Sequence, residues 1–195
     1  MGGPRWLGWP SVVGVALAGA GERADHYSRI MDEQAPIVIG YDGSEFADEA
    51  LRKGLWLASK LGLKARVVRA WTISTAPRPA TWSQGYVPPV EDFAQAVREQ
   101  LQQQVAARLA EFPDVEVELE VPHGAAGREL VRASEDARVL IVGTRGLGGF
   151  AGLLLGSVSD QVVEHAKCDV LISRRRDIDP SPERALRLDR AFDPD

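Results

Sequence analysis

Val139-Leu140-Ile141-Val142-Gly143-Thr144-Arg145-Gly146 is the stretch that decides the fold. Four apolar residues in succession, three of them β-branched, read as a strand buried on both faces. The strand stops at Gly143, and a glycine-rich connection runs over 144–156. Gly156-Ser157 then opens a segment with Val158, Val162 and Val163, the pattern of a helix over about 157–166. A buried strand, a glycine turn and a helix in that order are half of a βαβ unit, whose strands run parallel.

The same alternation extends upstream. Ile37-Val38-Ile39-Gly40-Tyr41 is a second short apolar strand, broken by Asp42-Gly43-Ser44. Ser44 suits a helix N-cap, with Glu45 and Asp48 near the positive end of the helix dipole. That helix carries Ala47, Leu51, Leu55 and Ala58 on one face and stops at Gly62. A strand over 64–71 holds Ala65, Val67, Val68 and Ala70. A loop rich in proline and aromatics spans 72–89, and Pro88-Pro89 suits the first turn of a helix reaching about Glu111. Phe93, Val97, Leu101, Val105 and Leu109 lie four apart on it. Val115, Val117, Leu119 and Val121 alternate with Glu116, Glu118 and Glu120, the mark of a half-buried edge strand. Gly124 and Gly127 open a short helix with Leu130, Val131 and Ala133, and a last strand covers Asp169–Ser173.

Strands alternating with helices predict an open five-stranded parallel α/β sheet, helices on both faces, of Rossmann-like type. The two most apolar strands belong at the centre, which gives the order 3-2-1-4-5 and a topological switch between the first and fourth strands. Ligands bind outside the carboxyl ends of strands at such a switch. Here those ends are Asp42 and Gly143.

Composition narrows the function. The chain has 195 residues, 45% apolar and 26% charged, with a formal net charge of −5. An acidic chain argues against a general nucleic-acid binder and against a polybasic membrane-surface protein. A single cysteine, Cys168, excludes an internal disulfide framework and a cysteine-rich zinc site. His26, His123 and His165 are too scattered for a spaced metal motif. No apolar run reaches the roughly 20 residues of a membrane span. The expected domain covers 36–176. Residues 1–35 form an N-terminal extension with three readings: a signal peptide with Arg5 and an Ala16-Leu17-Ala18 site, a short helix docked on the core, or a segment outside the folded domain. On the last reading Met31 is the natural start. Residues 177–195 are expected as a disordered charged tail, with room for a helical turn or two over 185–190.

The glycine connection carries the chemistry. Glycines let backbone amides approach a phosphate and adopt positive φ, and a helix N-terminus favours an anion. The Ser157 hydroxyl, with Ser159 as a second donor, can reach phosphate oxygens. Arg145 either neutralises charge or is a solvated loop cation. Asp42 faces the same crevice, either accepting from a ribose hydroxyl or adenine amino group or serving as a turn and capping residue. A flexible surface connection is the competing reading of the loop. The chain lacks a Gly-x4-Gly-Lys-[Ser/Thr] loop, and Ser157 has no Gly-x-Ser-x-Gly elbow. Gly146-x-Gly148 with Gly152 follows the fourth strand instead of the first, the wrong place for a dinucleotide fingerprint. His123, His165, Cys168 and Trp71 read as packing or surface residues. Trp82 is a candidate partner or ligand contact.

Gly143, Gly146, Gly156 and Ser157 together meet the pattern Gly-x2-Gly-x9-Gly-[Ser/Thr], and from about Pro36 to Arg176 the chain resembles the universal stress protein family, in its ATP-binding form. The resemblance rests on that motif, on the opening 37–44 and on the closing 168–174. It implies that Gly40 and Asp42 lie near ribose and adenine, and Ala70 beside adenine. It further implies that Val142, Gly143, Arg145 and Gly146 form the ribose and phosphate turn, and that Gly156, Ser157 and Val158 hold the triphosphate end. The family commonly has a proline before the last strand; Lys167-Cys168-Asp169 has none. Also implied are ATP with Mg²⁺ or Mn²⁺ held mainly by the phosphates, and a homodimer paired through Asp169–Ser173. An unidentified protein partner and a cytoplasmic location belong to the same expectation.

The sequence shows no general base or Walker lysine, so at most slow ATP hydrolysis or autophosphorylation is expected. The expected role is a nucleotide-dependent regulator of stress or dormancy responses. The alternative is a dimeric interaction module on the same fold that works without nucleotide. An ATP pyrophosphatase would need a Ser-Gly-Gly-x-Asp-Ser loop, which Asp42-Gly43-Ser44 is not.

Overall fold

The computed structural model describes residues 34–147 and 155–174. Most of the expected leader, the whole of the expected tail and the glycines at 148, 149 and 152 lie outside the described residues. Five strands and four helices alternate: β1 (Ile37–Gly40), α1 (Glu45–Leu61), β2 (Ala65–Val68), α2 (Val90–Ala110), β3 (Val117–Glu120), α3 (Ala126–Ala133), β4 (Val139–Gly143), α4 (Ser157–His165) and β5 (Asp169–Ser173). The sheet is parallel with order β3-β2-β1-β4-β5, as the alternation predicts. Ile39 sits between Val67 of β2 and Ile141 of β4, so β1 is central and all four of its residues are buried.

Alternate side chains along each strand point to opposite faces, and each face has its own core. Ile37, Ile39, Ala65, Val67 and Ile141 pack with Leu51, Leu55 and Ala58 of α1 and with Leu101 and Val105 of α2. Val38, Val68, Leu140 and Val142 pack with Leu130 of α3 and Val162 of α4. Each buried Val, Leu or Ile among them contributes about 1.5–3 kcal/mol by leaving water. Gly54 lets α1 lie close on the sheet, because a Cβ there would meet Ile39 Cδ1 at 2.5 Å.

Local signals set α1. Ser44 Oγ accepts from the Ala47 N–H at 3.1 Å, and Gly62 ends the helix with φ 66°. The second strand is shorter than the expected 64–71. Past Val68 it has no β1 partner, because β1 ends at Gly40. The chain still tracks the β3 side: Arg69 N–H donates to Glu120 C=O at 2.9 Å, and Trp71 N–H to Pro122 C=O at 3.1 Å. The Trp71 indole N–H donates to Val121 C=O at 2.9 Å, and its ring stacks on Phe93 at 6.5 Å, which makes it a packing residue as expected.

Candidate functional site

The carboxyl ends of β1, β2 and β4 open onto one cleft of about 570 Å³. All ten residues expected at the site line it: Gly40, Asp42, Ala70, Val142, Gly143, Arg145, Gly146, Gly156, Ser157 and Val158. Its floor is apolar, with Val68, Leu130, Val142 and Val158. Gly40 keeps the floor low; a Cβ there would stand 3.0 Å from both Leu130 Cδ1 and Val142 Cγ1.

On the β1 side, Asp42 closes a turn. Its Oδ1 accepts from the Ser44 N–H at 2.9 Å, and its Oδ2 accepts from the Leu147 N–H at 3.0 Å. Both oxygens of the carboxylate are therefore engaged by backbone. Gly43 takes φ 86°, which a side chain would resist. Tyr41 is nearly buried and donates to Asp48 Oδ1 at 2.8 Å; burial first, and then that bond, hold its phenol well above the ordinary tyrosine range.

On the β4 side the chain is anchored at both ends of the glycine connection. Thr144 N–H donates to Ser173 C=O at 3.0 Å, and Gly156 N–H donates to Thr144 C=O at 2.8 Å. The Ser159 hydroxyl donates to Gly143 C=O at 2.7 Å and is buried, so it supports the turn and does not serve as the second phosphate donor expected from sequence. Ser157 is exposed, and Gly156, the N-cap of α4, supplies no side-chain cap. Among the described residues, no partner is recorded for the N–H groups of Gly146, Ser157 and Val158. Open amides at a helix N-terminus favour an anion.

None of the three motif glycines takes the positive φ expected from sequence, and their surroundings differ. Among the described residues only Gly43, Gly62 and Gly85 have positive φ. A Cβ on Gly143 would meet Phe46 backbone C and O at 2.9 Å. A Cβ on Gly146 would collide with Asp42 Oδ2. A Cβ on Gly156 would meet nothing closer than Arg145 Cα at 3.4 Å, which is ordinary contact. The fold therefore crowds the first two, and at the third a methyl would meet only ordinary contact.

The far wall was not foreseen. Gly124 and Ala125, between β3 and α3, and Ala126, the first residue of α3, line the cleft together with Thr72 and Thr75. The turn signal at Pro122-His123-Gly124, read with the rule for carboxyl ends of strands, would have found the first group. Ala70 stands at this end, and among the described residues neither its N–H nor its C=O has a recorded partner. Trp82 is 40% exposed, edge-on to Phe93 with the Arg78 guanidinium 5.6 Å from its ring centroid, and it is not part of the cleft lining. Burial pushes the Cys168 thiol up to about 11, which disfavours the thiolate at neutral pH. No group of three or more His, Cys, Asp or Glu able to hold a metal occurs among the described residues, and no helix among them is long and apolar enough to cross a membrane.

An open parallel sheet with an apolar cleft at the β1/β4 switch is the architecture of the doubly wound α/β proteins. The chain is a member of the universal stress protein family, whose sequence model matches residues 35–174. It is 32% identical over 148 residues to a universal stress protein of Mycobacterium tuberculosis, covering 73% of this chain and 46% of that one. It spans about half the length of the curated relatives it matches. A universal stress protein solved in complex with cAMP is similar in structure, with a TM-score of 0.53 and 25% identity over 72% of this chain and 97% of that one. A universal stress protein from Lactobacillus plantarum shares the fold at TM-score 0.57 and 17% identity, over 72% of this chain and 97% of that one.

Proposed function

We propose that the cleft binds an adenine nucleotide, ATP foremost, and that the protein is a nucleotide-dependent regulator of stress or dormancy responses in the cytoplasm. The carrying observation is the row of open amides at Gly146, Ser157 and Val158 above an apolar floor. A base fits such a floor, and phosphates fit the amides and the positive end of the α4 dipole. The N–H and C=O of Ala70, without a partner among the described residues, offer a donor and an acceptor side by side, which suits the amino and ring-nitrogen edge of adenine. The similar protein solved with cAMP supports the class of ligand.

In this reading Gly40, Ala70 and Val142 border the base and ribose, with Asp42 at the same end. Gly143, Arg145 and Gly146 turn around the first phosphates, and Gly156, Ser157 and Val158 take the terminal ones. Mg²⁺ or Mn²⁺ would be held mainly by the phosphates, since the cleft has no set of clustered ligands among the described residues. The nucleotide would act as a conformational ligand that favours one of two states. The folding unit is 36–176. β5 is an edge strand with Leu171 37% exposed, which suits pairing with a second copy through Asp169–Ser173.

Calorimetric titration with ATP and Mg²⁺ tests the reading on the intact chain and on Gly156→Val. The intact protein should bind and the variant should lose at least tenfold in affinity, about 1.4 kcal/mol. No binding by the intact chain sinks the proposal and favours the nucleotide-independent module; equal binding by both sinks the site.

A further inference from the structure

Asp42 stands where a ligand contact is expected, and each oxygen of its carboxylate already accepts one backbone N–H. Oδ1 accepts from the Ser44 N–H at 2.9 Å and Oδ2 from the Leu147 N–H at 3.0 Å. The second bond joins the β1 turn to the glycine connection that follows β4. The same Oδ2 fills the space a side chain on Gly146 would need. Gly146 has no positive φ, so its backbone does not demand glycine; what stands against a side chain there is the carboxylate, which would have to shift and loosen its hold on Leu147. A carboxylate beside open amides that favour anions also repels a phosphate. Attraction of the ligand's charged end is therefore not its purpose.

We infer that Asp42 is a positioning residue for the phosphate turn: its carboxylate anchors Gly146 and Leu147 to the β1 turn and acts on a bound phosphate through that turn, without touching it. The inference rests on the nucleotide reading above for its ligand, and on ligand-free geometry for the anchor itself. Gly146 is the matching half of the device, kept small so that the carboxylate can lie against it. An anchor of this kind has consequences that a ribose or base contact does not. Its loss weakens any ligand held by the turn, whether or not that ligand carries a ribose.

The test uses the full chain, with Asp42→Ala, Gly146→Ala and the double variant. In the ligand-free protein, Asp42→Ala should speed hydrogen exchange at the Leu147 amide by roughly tenfold, the scale of one lost charge-assisted bond, and leave Gly156 unchanged. Gly146→Ala should lower the unfolding temperature in the native background and have little effect in the Asp42→Ala background, because the collision is gone. With inorganic tripolyphosphate, Asp42→Ala should weaken binding roughly tenfold, and with ATP by at least as much. Unchanged exchange at Leu147, or a Gly146→Ala penalty that persists in the double variant, overturns the anchor. An intact anchor effect with tripolyphosphate binding spared and ATP binding weakened overturns its action on the phosphates and returns Asp42 to a ribose or base contact. Failure of the native chain to bind ATP sinks the nucleotide reading instead, and the two ligand-free measurements still decide the anchor.

Discussion

On the β1 side of the cleft the turn Asp42-Gly43-Ser44 engages its polar side chains in the fold: Asp42 holds two backbone amides and Ser44 caps α1. On the β4 side the chain is pinned at Thr144 and Gly156, and the amides of Gly146, Ser157 and Val158 have no partner among the described residues. One side holds and the other receives. Two connections at the same end of the sheet, both carrying glycine, are therefore set apart by how their polar groups are hydrogen-bonded. Where the holding part ends and the receiving part begins is a matter of single residues, and substitution can locate it.

Gly143→Val should have the largest effect. Its new side chain would meet the backbone of Phe46 at 2.9 Å, and backbone in the first turn of α1 cannot yield as a flexible side chain can. Overpacking of this kind costs about 3 kcal/mol, read as a fall of several degrees in thermal unfolding. Stability near that of the native chain would show that Gly143 belongs to the receiving side. Gly156→Ala is the control, since its methyl would meet only ordinary contacts, and its unfolding temperature should not move.

Ser44→Ala comes next. The hydroxyl accepts from Ala47 N–H in a buried setting, so its loss should cost about 1 kcal/mol of stability in urea unfolding. Nucleotide affinity should be unchanged. Weaker binding at unchanged stability would place Ser44 on the receiving side and break the contrast.

Much of this was legible in sequence because the signals are local. Ser44 and Gly62 mark the ends of α1, and the apolar run of β4 followed by glycines marks the switch. The end of β2 was not legible, because a strand stops where its partner does, and β1 ends at Gly40 opposite Val68. The glycine spacing was visible, but the reason for each glycine was not. Gly143 is set by Phe46 on another element and Gly146 by Asp42 across the cleft, contacts that spacing cannot encode. Ser159 looked like Ser157 in sequence, yet helix geometry turns it inward to Gly143 C=O. The wall at Gly124 and Ala125 escaped because its residues carry no functional side chain.

Tyr41 tests the holding side through pH. Its phenol is buried and donates to Asp48, which raises its pKa above the unfolded value of about 10. The contribution is fully present below that pH and is lost as pH rises toward the folded value, because the unfolded chain gives up the proton first. Tyr41→Phe should cost about 1 kcal/mol at pH 7. Its stability should then fall less steeply than that of the native chain above about pH 10, measured by urea unfolding at pH 7 and 10.5. Parallel declines would mean that Tyr41 is not a structural member of that side.

Ser157→Ala should have the smallest effect and is the finest probe of the receiving side. The hydroxyl is exposed, and no partner is recorded for it among the described residues, so its removal takes nothing from the fold. Unfolding temperature should stay where it is. The adjacent amides of Ser157 and Val158 survive the substitution, so the phosphate keeps its main donors and loses one hydroxyl. A neutral hydrogen bond of about 0.5–1.5 kcal/mol corresponds to a loss of affinity of roughly three- to tenfold. The loss should be larger for ATP than for AMP, because this end of the cleft faces the terminal phosphates in the proposed pose. Equal losses for both nucleotides would move the first phosphate to the α4 N-terminus and shift the pose along the cleft by the length of the missing phosphates.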